Sequence, residues 1–262
     1  MKVTDEKVGG IPQLSGALSF TEKSLIQRVD EYLDTAPEHL YHGDIVKNDK
    51  RTVTRPNGYY AESLERENPS FCEVIAMRVL EKGLNIAPDE QCIYSRGERA
   101  KIVEGKAFRE MKHDMAKMEK YCAVKDEEQK EERMVHCFFN EGEIDGYTVL
   151  DYQVPTTNGG SDKIDLVMRK DGVVYITEVK RFGSDESFLR CALEILTYRK
   201  KLNGRFFEAY DCTEKTLKLA VLIDGSSFAF KQLSQPWAQK LKAEITVLEL
   251  SKDSAFHIQE CK

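Results

Sequence analysis

The chain has 262 residues, 41% of them hydrophobic and 32% charged, with a formal net charge of −6. That balance fits a globular protein of one large domain or two small ones, and it does not announce a nucleic-acid binder by bulk charge. No apolar run approaches the roughly 18 residues a membrane span needs. The opening MKVTDEKVGG lacks the apolar core of an export signal. The seven cysteines are odd in number and form no CxxC pair, which predicts reduced thiols in a cytoplasmic protein, without a zinc site or a disulfide frame.

In chain order, residues 1–18 carry Gly9, Gly10, Pro12 and Gly16 and read as loose. Ser19 to Leu33 reads as a helix, with capping-box spacing at Ser19 and Glu22 and apolar residues at Leu25, Val29 and Leu33. Residues 35–70 hold Pro37, Pro56 and Pro69 and predict irregular structure with a short strand or two. A second helix opens at Pro69 and ends at Gly83, Cys92 to Tyr94 suggests a strand, and Lys106 to Cys122 suggests a charged helix. From Asp126 the pattern changes. A helix over 126–140 begins with acids and ends apolar, and a strand over Tyr147 to Val154 is closed by Pro155. A loop and a hairpin follow, then a helix over Asp185 to Leu202, a buried strand over Leu217 to Ile223, a helix over Phe228 to Lys242 interrupted at Pro236, and a strand over Glu244 to Leu250. The domain reading is 1–125, a mainly helical N-terminal region without assignment, and 126–262, an α/β core with a mixed sheet flanked by helices.

The hairpin, KIDLVMRKDGVVYITEVKR over Lys163 to Arg181, organises the rest. Asp171-Gly172 is a strong two-residue turn signal, because both positions can take positive φ. With those two residues as the loop, paired residues sum to 343, so Asp165 faces Glu178 and Lys180 shares their side of the sheet. Two opposed carboxylates repel, and burial increases the cost. Two readings of these residues remain. One is a divalent-cation site of hard oxygen ligands with a lysine beside it; the other is a solvated hairpin face on which Lys180 bridges two acids. Charge is uneven along this part: ten bases and seven acids lie between Ser161 and Arg205, against two bases and eight acids between Asp126 and Asp145. The basic excess is compatible with a phosphate-bearing partner or with chance surface patterning.

Asp165 followed by Glu178-Val179-Lys180 at the end of the next strand resembles the PD-(D/E)XK nuclease signature, and the αβββαβ order is similar to the restriction-endonuclease-like core of that superfamily. The resemblance covers about residues 126–225, and Ile164 takes the place of the signature's proline. It implies that Asp165, Glu178 and the backbone carbonyl of Val179 bind Mg²⁺ or Mn²⁺, and that Lys180 positions water and stabilises charge on a phosphate. It also implies a glutamate from the preceding helix, which offers Glu128, Glu131 and Glu132. Glu132 heads a stripe with Val135, His136 and Phe139 and is favoured. Arg190, Glu194 and Tyr198 at i, i+4, i+8 could brace the site or form an ordinary surface pair with a half-buried ring. A lone His136 beside an apolar face reads as packed. The function implied is metal-dependent hydrolysis of phosphodiester bonds, of DNA. The alternative is a nucleic-acid-binding or assembly module without turnover. No membrane partner is expected, and residues 1–125 could supply a homodimer surface. No P-loop and no GxSxG elbow is present.

Overall fold

The protein, as a computed structural model, is described over residues 6–8, 11–13, 22–35, 45–48, 51–54, 70–94, 131–157 and 162–261. Two short antiparallel hairpins come first: β1 (Glu6–Val8) with β2 (Ile11–Gln13), and β3 (Ile45–Asn48) with β4 (Arg51–Thr54). The first falls in the stretch expected to be loose, where three-residue strands leave no periodicity to read. Helices α1 (Glu22–Thr35) and α2 (Ser70–Lys82) match the two apolar stripes. Arg78 joins them by donating to both Asp30 oxygens at 2.9 and 2.7 Å, and Lys82 adds a bond to Asp34 at 2.6 Å. The expected capping box at Ser19 and the helix over Lys106–Cys122 lie outside the described residues.

Cys92–Tyr94, expected as a strand, is not part of one. Its side chains anchor it instead of a ladder: Tyr94 packs edge-on against Phe206 at 5.3 Å, and its hydroxyl donates to the Lys201 carbonyl at 3.0 Å.

From Glu131 the order is α3 (Glu131–Glu141), β5 (Glu143–Ile144), β6 (Tyr147–Pro155), β7 (Lys163–Lys170), β8 (Val173–Val179) and α4 (Phe188–Lys201). It continues through α5 (Gly204–Ala209), β9 (Leu217–Asp224), α6 (Phe228–Gln232), α7 (Pro236–Leu241), β10 (Thr246–Lys252) and β11 (Phe256–Glu260). Pro236 stands at the first position of α7, so the helical stretch over 228–242 is interrupted and restarted there, as expected. Strands β5–β11 make one seven-stranded mixed sheet, in the order β11-β10-β9-β8-β7-β6-β5. The β7–β8 turn takes φ 50 at Asp171 and φ 76 at Gly172, and the register runs from Lys170↔Val173 to Leu166↔Thr177 as the turn dictates. Strands β8, β9 and β10 are mutually parallel, joined by the helical crossovers.

The sheet buries both faces. One packs on α1, α2, α4 and α7, with Val29, Leu33, Ile75 and Tyr94 in the same apolar cluster as Ile164, Ile176 and Val221 of the sheet. The other curls around α3: Met134, Val135 and Phe138 are fully buried among Leu166, Met168, Leu222, Leu248 and Phe256. Each such large side chain contributes about 1.5–3 kcal/mol relative to exposure. The curl brings the two sheet edges together, where the Ile258 N–H donates to Asp145 Oδ2 at 2.8 Å.

His257 sits at that closure, 3.3 Å from both Asp145 and Asp253. The hydrogen bond with Asp253, with the charges of Asp253 and Asp145, raises its pKa above 6.5. Its contribution to stability is therefore present in full below pH 6.5 and lost as pH rises through the raised folded value. Melting temperatures of wild type and His257→Gln, measured between pH 5.5 and pH 8.5, are expected to differ at the acid end and converge at the alkaline end. A constant difference would remove the ion pairs from the account.

Cys92, Cys191, Cys212 and Cys261 are in thiol form, but Cys137 is disulfide-bonded, which corrects the expectation of reduced thiols throughout. Scattered single cysteines give no spacing from which a pairing could be read.

Candidate active site

The cluster forms where β7 and β8 end together. Asp165 and Glu178 lie on the α4 side of the sheet, and Lys180 follows one residue past β8, its backbone N–H still bonded to the Leu222 carbonyl of β9 at 2.9 Å. Asp165 holds the strand end: its Oδ2 accepts the Val179 N–H at 2.9 Å, and its Oδ1 accepts from Gln153 Nε2 at 2.7 Å. Val179 itself turns its side chain into the α3 cluster. Gln153 has φ 48 inside β6, just after a register shift between Val149 and Asp151. A left-handed glutamine in a strand costs about 1–3 kcal/mol and persists only where its surroundings demand it.

Lys180 is 2% exposed, and its ammonium is the point on which the acids converge. It donates to Glu178 Oε1 at 2.7 Å and to Glu194 Oε2 at 3.2 Å, with Glu186 Oε2 at 2.8 Å and Glu131 Oε2 at 3.7 Å. Glu186 lies just before α4 and Glu194 in the middle of that helix, which Ser187 caps by accepting the Arg190 N–H. The loop before it is pinned by Asp224, which accepts the Gly183 N–H at 2.9 Å; Gly183 takes φ 62. Arg190 lies 3.4 Å from Glu186 and 3.7 Å from Glu194.

Five carboxyl groups thus share two cations, Lys180 and Arg190. Burial drives the consequences. It raises Asp165 to about 7, opposed by Lys180 and by the Val179 N–H. Burial, then the charges of Asp165 and Glu194, push Glu178 well up, and burial also raises Glu131. Burial works against charge on Glu194 too, but Lys180, Arg190 and a hydrogen bond from Glu178 hold it below its ordinary value. Burial disfavours the charged ammonium of Lys180, yet the surrounding acids raise it well above its ordinary value.

Among the residues expected at the site, Asp165, Glu178, Lys180, Glu194 and Arg190 are brought together. The acid that α3 turns toward Lys180 is Glu131; Glu132 is exposed. The buried face of α3 carries Met134, Val135 and Phe138, and Glu131 lies three, four and seven residues before them, on the same stripe. Glu128 lies outside the described residues. Tyr198 is buried in the apolar cluster, and His136 packs edge-on against Tyr152 at 4.7 Å. Glu186 and Gln153 were not anticipated. Glu186 continues the 190–194–198 spacing backward by one turn. Gln153 is a polar residue in an apolar strand, and it comes opposite Asp165 only because of the bulge.

The donors are hard oxygens with a surplus of negative charge, which suits a divalent cation in chemistry. Among the described residues, however, no group of three or more His, Cys, Asp or Glu side chains is arranged to hold a metal ion. Six of the ten bases over 161–205 are engaged within the protein: Lys180 and Arg190 in the cluster, Lys201 on Asp162 at 2.5 Å, Lys170 on the Asp145 carbonyl at 3.0 Å, Arg199 on Glu214 and Arg169 on the Tyr210 carbonyl. No helix among the described residues is long and apolar enough to cross a membrane. No protein-family model, curated protein or solved structure matches the chain.

Proposed function

We propose that the chain is a metal-dependent nuclease that hydrolyses phosphodiester bonds of DNA at Asp165, Glu178 and Lys180. The observation that carries the reading is the buried surplus of carboxyl groups around Lys180, with Asp165 raised to about 7: a cost to the fold that a bound divalent cation would relieve. The resemblance of Asp165 and Glu178-Val179-Lys180 to the PD-(D/E)XK signature supports it, as does the succession α3–β6–β7–β8–α4–β9, which follows an αβββαβ order once the short β5 and α5 are set aside.

In this reading Asp165 and Glu178 hold Mg²⁺ or Mn²⁺, with the Val179 carbonyl and a helix glutamate, Glu131 in place of Glu132, beside them. When bound, the metal supplies Lewis acidity and a water of lowered pKa. The chain's own residues do the positioning. The Val179 N–H and Gln153 fix both oxygens of Asp165. Glu194, itself held by Arg190, keeps the Lys180 ammonium at the strand end, where it can meet a phosphate oxygen as a fixed positive charge.

A second reading is a nucleic-acid-binding or assembly module without turnover. It is favoured by the closure of the carboxylates on Lys180 in place of an open ligand set.

The deciding experiment incubates supercoiled plasmid and single-stranded DNA with wild type, Asp165→Asn and Glu178→Gln, in Mg²⁺ or Mn²⁺ and in EDTA. Metal-dependent cutting by wild type, lost in both folded variants, is the expected outcome. DNA binding without cutting under any condition would move the assignment to the second reading, and neither binding nor cutting would end both.

A further inference from the structure

Gln153 is the only non-glycine residue with positive φ that lies inside a strand of the described residues; Asp145, Asp171 and Asp211 take theirs in turns. The strain coincides with a purpose that geometry makes visible. The register shift at Leu150 moves the second half of β6 by one residue, so that Tyr152 faces Leu166, Val154 faces Ile164, and Gln153 comes opposite Asp165. The amide then donates to Asp165 Oδ1 at 2.7 Å while the Val179 N–H occupies Oδ2 at 2.9 Å. With both oxygens held, the carboxylate cannot rotate. Because the donor is a neutral amide, it fixes the group without cancelling its charge, as a lysine in the same place would.

We infer that Gln153 is a positioning residue that orients Asp165 for a divalent cation, an inference that rests on the reading of Asp165 as a cation ligand. Ligating carboxylates owe much of their affinity to such supporting hydrogen bonds, and losing one costs about 10- to 100-fold in metal affinity.

The test separates the amide from the strain. Gln153→Ala removes the amide and leaves a side chain at the left-handed position; Gln153→Gly removes the amide and relieves the backbone as well. Mn²⁺ affinity is measured by titration calorimetry on the full chain for wild type, both variants and Asp165→Asn, with melting temperatures taken in EDTA. Both Gln153 variants are expected to bind Mn²⁺ about 10- to 100-fold more weakly, while Gln153→Gly melts at or above the wild-type temperature. A purely structural role would lower stability and leave affinity alone. Unchanged affinity in both variants, with wild-type binding that depends on Asp165, overturns the role of Gln153 and leaves the cation site intact. Wild-type binding that is absent, or that Asp165→Asn does not weaken, overturns the ligand reading and the inference with it.

Discussion

Lys180→Met is expected to destabilise the protein by about 3–5 kcal/mol in EDTA, because removing one partner of a buried ion cluster strands the charges left behind. Here the stranded groups are Glu178, Glu186 and Glu194, all within 3.2 Å of the lost ammonium, with Glu131 at 3.7 Å. For a protein of this size the change corresponds to a fall in melting temperature on the order of 10 °C. Lys180→Arg restores the charge but not the shape, since a planar fork does not fill a site built around one small cation, and it should recover only part of the loss. Pairing Lys180→Met with Glu194→Gln should cost less than the sum of the single changes, a coupling that a double-mutant cycle measures directly. On the proposed function, Mg²⁺ returns part of the stability of Lys180→Met but none of the cleavage. A melting temperature within a degree of wild type would show that water or side-chain movement compensates the cluster without Lys180.

Asp165 gives the second large effect, and its sign follows from linkage. Its folded pKa is about 7 against an ordinary 3.8, so between those values the folded state holds the extra proton and stability falls as pH rises. The cost is complete above pH 7 and is on the order of a few kcal/mol, at about 1.4 kcal/mol per pH unit. Glu178 and Glu131 are raised as well and act in the same direction. Glu194 is lowered, so its contribution is present above its ordinary pKa and is lost only as pH falls through the lowered value. In EDTA the melting temperature is therefore expected to drop between pH 5 and pH 8. Asp165→Asn should flatten that slope and melt higher than wild type at pH 8, since one amide oxygen can still accept the Val179 N–H while Gln153 turns its own oxygen toward the new amide. Mg²⁺ should raise the wild-type melting temperature at pH 8 and leave Asp165→Asn unmoved. A wild type that grows more stable from pH 5 to pH 8, with no change in the variant, would mean that Asp165 folds in charged.

Much of this was legible in the residues because the signals were local. Asp171-Gly172 set the hairpin, the hairpin set the register, and the register set Asp165 and Glu178 on one face; none of those steps needed distant information. What was not legible depended on how elements meet. The choice between Glu131 and Glu132 turned on which stripe of α3 faces the sheet, and both stripes carry apolar residues. Gln153 required a bulge whose only trace is two polar residues, Asp151 and Gln153, in an apolar strand. Asp151 serves the fold, accepting from the Tyr210 hydroxyl at 3.0 Å, so polarity alone could not tell the two roles apart. β11 escaped notice because Phe256 and Ile258 are its only inward residues, too short an alternation to separate from a loop.

The meeting of the sheet edges has a consequence for synthesis. Ile258 reaches the ribosome exit 113 residues after Asp145, the residue it bonds. At typical elongation rates of about 5–20 residues per second, that interval lasts on the order of ten seconds. Throughout it α3 has no Phe256 to cover Phe138, although the two rings lie 4.7 Å apart in the finished fold. The nascent chain therefore presents an apolar helix on a half-rolled sheet, a surface that chaperones recognise and that other nascent chains could adhere to. A ribosome paused before residue 256 would hold the protein in that state, with the carboxylate cluster around Lys180 already encoded and its closing strand still missing.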